Sequence, residues 1–298
     1  MTISIIVVTR NRSEHLDECL SSILKQTISP KEIYVIDNNS TDNTYSICLK
    51  YLSKLPIRYY KELNTGIAYA RQAGLEKSSG DILVYVDDDC IVDKNWLKSI
   101  SDSFELNPKK IIAIQGKSLS YWKDWLSLIE QYSYDLWFKY AIDDLNKPNI
   151  LKFGSYTDTK NFAINRNFVI KNKLYFNHLA PHKSEDTEFG IKMKQSMKDN
   201  QLFIFQPRML IWHKHPNTIK SFIKKNLIYG YNQNYLQQYK DFREMHNLYK
   251  PYIERNKIHL LDKLNINWLK KYILQKINRL IFTIGSINYQ INKHYLNK

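Results

Sequence analysis

This sequence predicts an α/β fold on a mostly parallel central sheet, followed by a basic helical C-terminal region. Three observations carry the prediction. Runs such as Ile3–Thr9 and Ile82–Asp87 are continuously apolar, as expected of strands covered on both faces. Segments with helical spacing separate these runs, which is the pattern of βαβ units. Polar residues gather at the carboxyl ends of the predicted strands: Thr9-Arg10-Asn11, Asp37-Asn38-Asn39 and Asp87-Asp88-Asp89. In open α/β sheets the ligand lies beyond those ends.

The elements follow in order. After the strand Ile3–Thr9, residues Leu16, Cys19, Leu20, Ile23 and Leu24 recur on one helical face, with Asn11 and Glu14 spaced as a capping box. Glu32–Asp37 is a second strand, and Thr41-Asp42 precede a helix through Leu52. Ile57–Lys61 is a third strand, Asn64-Thr65-Gly66 turns into a helix over 67–77, and Ile82–Asp87 is a fourth strand. After a strand at Ile111–Ser118 the alternation breaks. Residues 121–140 are dense in aromatics, Tyr121, Trp122, Tyr134 and Trp137 among them. They read either as core and subunit contact or as a wall that stacks on a sugar or lipid acceptor. Met209–Trp212 is strand-like, and from Ile219 the pattern is helical and basic. The expected division is a catalytic domain over 1–215 and a basic helical region over 216–298.

With 43% hydrophobic and 24% charged residues, wholesale disorder is excluded. Eight Gly and eight Pro exclude collagen-like and linker-like classes. Neither a signal peptide nor a run of roughly 20 apolar residues is present. The widely spaced Cys19, Cys48 and Cys90 make neither a disulfide frame nor a zinc site and suit a reducing compartment. A cytoplasmic chain is expected. Residues 194–298 hold 19 Lys and Arg against 5 Asp and Glu, a net of +14, whereas the remainder is nearly balanced. A Lys-rich, AT-biased composition accounts for this, and so does a tail that meets an anionic surface, phospholipid or nucleic acid. Leu260–Ile284 sets an apolar stripe beside Lys263, Lys270, Lys271 and Arg279. Such a helix packs on the body or on a second copy in a homo-oligomer, or lies in a membrane interface, which would place the chain peripherally on the inner face.

The strongest chemical signal is Asp87-Asp88-Asp89. Adjacent carboxylates at the end of a buried strand repel one another, and a divalent cation removes that cost. Hard oxygen ligands suit Mg²⁺ or Mn²⁺. Asp37 either caps the turn Asn38-Asn39-Ser40 or accepts a hydrogen bond from the imide N–H of uracil or thymine. Arg71 reads as a surface residue, a diphosphate ligand or a group that orients the Asp cluster. Glu185-Asp186 opens an amphipathic helix, where an acid caps the helix or takes a proton from an attacking hydroxyl. His213 and His215 share a side if their strand continues, with metal, phosphate and structural roles open.

These motifs, in this order, resemble family 2 glycosyltransferases. Thr9-Arg10-Asn11-Arg12, the run DNNSTDNT over 37–44, Asn64-Thr65-Gly66-Ile67-Ala68-Tyr69-Ala70-Arg71, the DDD triplet and Glu185-Asp186 carry the likeness across about residues 1–215. The resemblance implies a GT-A fold and hexosyl transfer from a nucleotide sugar to a saccharide or lipid-linked saccharide, of the bacterial surface-polysaccharide type. It places Thr9, Arg10, Asn11, Asp37, Asn39, Asn64, Gly66, Arg71, Asp87 and Asp88 on the donor, with Asp87 on the ribose side. It puts Asp89, with Asp87 and His213, on the metal, and makes Asp186 the base with Glu185 beside it. Thr159–Ile164 looks like the family's acceptor-side strand, but Lys160-Asn161-Phe162 stands where members often read Gly-Asn-Phe. The implied reaction is an inverting, metal-dependent transfer, with UDP- or dTDP-sugars favoured by Asp37.

Two other classes share some of these features. A nucleotidyltransferase uses a similar acidic strand end but usually carries a Gly-rich phosphate loop, which is not found here. A nucleic-acid-binding protein explains the basic tail yet leaves the acidic cluster idle.

Overall fold

Four strands, β1 (Ile3–Thr9), β2 (Glu32–Asp37), β3 (Ile57–Lys61) and β4 (Ile82–Asp87), lie parallel in the order β3-β2-β1-β4. They are joined by helices α1 (Ser13–Ile23), α2 (Thr44–Tyr51) and α3 (Ile67–Lys77). The computed structural model describes residues 1–247 apart from 140, 141, 143, 182, 183, 216 and 217. Register aligns Thr9 with Asp37 and Val8 with Asp87, so three polar strand ends meet at one sheet edge.

The second half of the sheet is mixed. β5 (Cys90–Val92), α4 (Trp96–Leu106), β6 (Ile111–Ser120) and α5 (Trp125–Lys139) come first. β7 (Asn149–Ile150), a 3₁₀ turn over Gly154–Tyr156, β8 (Asn161–Asn165), α6 (Arg166–Lys171), α7 (Glu185–Ser196), β9 (Leu202–His213) and α8 (Ile219–Leu236) follow. β8 runs antiparallel between β4 and β6, β9 runs parallel to β6, and β5 and β7 each pair antiparallel with β9. The parallel strands lie within this mixed α/β architecture.

The continuous apolar runs have their cause in burial on both faces. Ile5 and Val7 pack with Leu16, Leu20, Cys48, Trp96 and Phe104 on one side. Ile6 and Tyr85 face Ala70, Ala73, Phe162, Phe189 and Met193 on the other. Leu236, Phe242 and Met245 enter that second cluster, so residues beyond 215 contribute to a core begun at residue 6. The stripe over Leu260–Ile284 lies outside the described residues. Among the described residues, no helix is long and apolar enough to cross a membrane.

The capping box expected at Asn11 and Glu14 does not form. Asn11 adopts φ 51°, and the N-cap residue of α1, Arg12, makes no capping hydrogen bond with its own side chain. Asp42 reaches across instead, accepting from the Ser13 N–H at 2.9 Å and from both Thr44 donors. One carboxylate thus serves two helix starts, and α2 begins at Thr44. All three cysteines are free and buried.

Candidate active site

The loops after β1, β2 and β3 are tied by uncharged hydrogen bonds. Asn11 donates its N–H to Ser40 Oγ at 2.9 Å, and its side-chain oxygen accepts from Thr41 N–H at 2.8 Å. Asn38 accepts from Gly66 N–H at 2.8 Å and donates to the Asn64 carbonyl at 2.7 Å. Gly66, at φ 145°, occupies a conformation closed to most side chains. Asp37 is buried; its two oxygens accept from Ser40 N–H at 2.8 Å and Tyr59 O–H at 2.6 Å. The turn-capping role read from the sequence is therefore real. Thr9 is buried at the end of β1, Arg10 is exposed, and Asn39 sits in the left-handed region at φ 59°.

At the end of β4, Asp88 and Asp89 are buried while Asp87 is partly open. Arg12, half-exposed, meets both buried carboxylates at 2.8 Å. His213 Nε2 lies 3.3 Å from the other Asp89 oxygen. Burial and then the neighbouring Asp89 push the Asp88 carboxyl up to about 7, against Arg12. Burial would raise Asp89 too, but His213 and Arg12 outweigh it and hold that carboxyl below the usual range. Cys90 Sγ joins Asp89 and His213 within 4.8 Å, the one such ligand cluster among the described residues. Burial and the nearby aspartates raise this thiol well above its ordinary value, and a soft sulfur suits the hard cations Mg²⁺ and Mn²⁺ poorly. Carboxylate plus imidazole is the donor set that remains, and it fits a divalent cation.

Arg71 is the hub of the site. It is 4% exposed and pairs with Glu185, with Asp87 at 3.4 Å and with Asp186 at 3.9 Å. A buried guanidinium among three carboxylates from β4 and α7 joins the two sides of the sheet edge. Glu185, 1% exposed, is held in that pair, whereas Asp186 keeps 18% of its side chain exposed. Thr159 Oγ1 lies 3.5 Å from Asp186, and the Thr187 N–H donates to it at 2.7 Å.

The depth of α7 is set by main chain. A Cβ on Gly154 would run into the Gly190 carbonyl, and one on Gly190 would meet the Thr157 hydroxyl. Asp241 pins the opposing turn by accepting from the Gly154 and Ser155 N–H groups at 3.0 and 3.1 Å and from the Ser155 hydroxyl. Asn161 is a core pin: its side chain accepts from Trp96 Nε1 and donates to the Lys117 and Met209 carbonyls. The His213 and His215 rings stack edge to face, 4.3 Å apart. Burial first, then neighbouring positive charge, lowers the pKa of His215 and keeps it neutral.

The structure thus brings Asp87, Arg71, Glu185 and Asp186 into one group, with Asp88, Asp89 and His213 in an adjoining one. Asn11, Asn39, Asn64 and Gly66 belong to the tied loops, and Arg10 points to no partner in either group. Sequence reasoning passed over Arg12, Asn38 and Tyr59. Arg12 lay inside a quoted motif, and three acids at one strand end called for a cation.

The family model described as Glycosyl transferase family 2 matches residues 4–174. Cholesterol galactosyltransferase of Borreliella burgdorferi is 26% identical over 266 residues, 84% of this chain and 72% of that protein. Two further relatives are matched over only 16% and 40% of their own lengths. Among solved structures, the mannosyltransferase PcManGT of Pyrobaculum calidifontis superposes with a TM-score of 0.66 at 14% identity, covering 99% of this chain and 88% of that one. TarS of S. aureus gives 0.58 at 17% identity, covering 92% and 78%. At such identities the likeness is one of fold, and the fold is that of GT-A glycosyltransferases. The chain belongs to glycosyl transferase family 2 and is a glycosyltransferase.

Proposed function

We propose that this enzyme transfers a sugar from a nucleoside-diphosphate sugar to an acceptor hydroxyl with inversion at the anomeric carbon. The observation that carries the reading is Arg71, which holds a donor-side carboxylate, Asp87, and an acceptor-side carboxylate, Asp186, on one buried guanidinium. Asp186 takes the proton as the acceptor oxygen attacks the anomeric carbon and the bond to the diphosphate breaks. A single displacement needs no covalent sugar–enzyme intermediate. Glu185 is the positioning partner, because its carboxylate is tied to Arg71.

Asp89, His213 and Asp87 would hold a divalent cation, whose chemistry is to offset charge on the departing diphosphate. A nitrogen ligand from His213 ranks Mn²⁺ above Mg²⁺, which favours all-oxygen sites. Arg12 pairs with the two buried carboxylates here, so a cation bound at Asp89 would displace its guanidinium. TarS has been solved with UDP-GlcNAc and PcManGT with GDP-Man and Mn²⁺, which supports a nucleotide-sugar donor and a cation. Asp37, with one lone pair left on each oxygen, supports UDP or dTDP. The acceptor is a saccharide or lipid-linked saccharide of a surface polysaccharide or glycolipid, and the enzyme works at the inner face of the membrane.

Incubation with Mn²⁺ and a panel of nucleotide sugars, read as release of free nucleoside diphosphate, tests this. Turnover that EDTA abolishes and a product of opposite anomeric configuration are expected. Full activity in EDTA or in Asp89→Ala rejects the metal assignment, and a retained configuration rejects the single displacement.

A further inference from the structure

Two buried lysine ammonium groups meet α5 one helical turn apart, at Tyr134 and Glu130. Lys160 follows Thr159, the residue that reaches Asp186, and its side chain is only 13% exposed. Lys225, from α8, is 10% exposed. Lys160 pairs with Asp158 and lies 4.9 Å from the centre of the Tyr134 ring. Lys225 pairs with Glu130 and lies 5.5 Å from the centre of the Tyr229 ring. An ammonium has three donors. Among the described residues each of these makes one carboxylate hydrogen bond, so N–H groups remain for a further acceptor.

The charges point the same way. Burial first, and the charge of Lys225 second, push the Lys160 amine down to about 8. Burial alone would lower the Lys225 amine too, but Tyr229 and Glu130 outweigh it and raise it, so Lys225 is a fixed positive charge that Lys160 meets.

We propose that Lys160 and Lys225 form an acceptor-side subsite for an anionic group, phosphate or carboxylate, carried close to the hydroxyl that Asp186 deprotonates. The proposal rests on the reading of Asp186 as the base. It makes the acceptor an anionic saccharide.

Calorimetric titration of the full chain, saturated with UDP and Mn²⁺, tests it with glucose 6-phosphate, glucuronate and methyl glucoside as probes. One of the two anionic probes is expected to bind at least about tenfold tighter than methyl glucoside, the usual worth of a charge-assisted hydrogen bond. Which of them does so separates phosphate from carboxylate. Lys160→Met should erase the preference and Lys160→Arg should keep it. Lys225→Met is made together with Glu130→Gln, so that no buried carboxylate is stranded, and should weaken the preference as well. Equal binding of charged and neutral probes overturns the proposal. So does an undiminished preference in Lys160→Met, or displacement of UDP by the anionic probe. Product formation by Asp186→Asn against wild type reports on the base reading separately, so failure of one is distinguishable from failure of the other.

Discussion

The two sides of this site are built from different materials. The loops after β1, β2 and β3 are tied to one another mainly by amide and hydroxyl groups, Asn11 to Ser40 and Thr41, Asn38 to Asn64 and Gly66, with Asp37 and Asp42 accepting from main-chain N–H groups at their turns. The acceptor side is held by charge: Lys160 to Asp158, Lys225 to Glu130 and Arg71 to Glu185. Neutral hydrogen bonds fix geometry and are indifferent to a ligand's charge. Buried ion pairs respond to it, because each added charge re-weights the others in a medium of low effective dielectric. A preformed cradle therefore faces a wall tuned by electrostatics.

The sharpest division comes from Asp186→Asn, which keeps shape and removes the proton acceptor. Its kcat should fall on the order of 10²–10⁴, the usual worth of a positioned base, with donor affinity near normal. A variant within a few-fold of wild type, assayed by product formation, moves the base elsewhere, to Glu185 first. Arg71→Met should destabilise by about 3–5 kcal/mol, because the buried Glu185 carboxylate loses its guanidinium partner. Chemical denaturation measures this, and restoring stability with Glu185→Gln in the same chain confirms the pair. An unchanged unfolding midpoint in Arg71→Met would contradict the hub.

Gly190→Ala should cost roughly 1–3 kcal/mol through overpacking and lower kcat while leaving UDP affinity intact. A loss of UDP affinity instead would mean that the two sides are not separable. Asn38→Ala should do the reverse, weakening UDP by about 1 kcal/mol as two loop hydrogen bonds disappear, with acceptor KM unmoved. The smallest effect concerns Glu188. Burial alone would raise its carboxyl, but hydrogen bonds from Lys192 and Tyr235 outweigh that and depress it. A depressed carboxylate stabilises the fold above its unfolded pKa of about 4.3 and stops doing so as pH falls through the folded value. Thermal midpoints of wild type and Glu188→Gln should therefore converge in acid, and a constant gap from pH 7 to 3 would exclude this contribution.

Much of the parallel half was legible, because Ile3–Thr9, Glu32–Asp37, Ile57–Lys61 and Ile82–Asp87 are short apolar runs that end in polar clusters. β5 escaped notice since Cys90–Val92 is too short to show a period. α4 did carry one, Trp96, Ile100 and Phe104 at successive helical turns, masked by the serines and charges between them. In the site, the acidic strand end and Glu185-Asp186 were readable as local motifs. Arg12 was harder: nothing local distinguishes it from Arg10, and its partners lie 76 and 77 residues away. The pairing of Lys225 with Glu130, separated by 95 residues, has no sequence signature at all.

The meeting of Gly154 and Gly190 carries a consequence for how this enzyme could diverge. Where side chain opposes side chain, enlargement of one residue is offset by shrinkage of its neighbour, and sequences drift through such compensated exchanges. Here a Cβ on Gly154 would oppose the main chain of Gly190 and Ile191, and one on Gly190 would meet the Gly154 carbonyl as well as Thr157, and main chain has nothing to trim. Neither glycine can be replaced first and rescued later, so the pair is a ratchet against drift. Descendants of this chain would keep the carboxylates of α7 at one depth and alter acceptor choice through the surrounding lysines, tyrosines and loops.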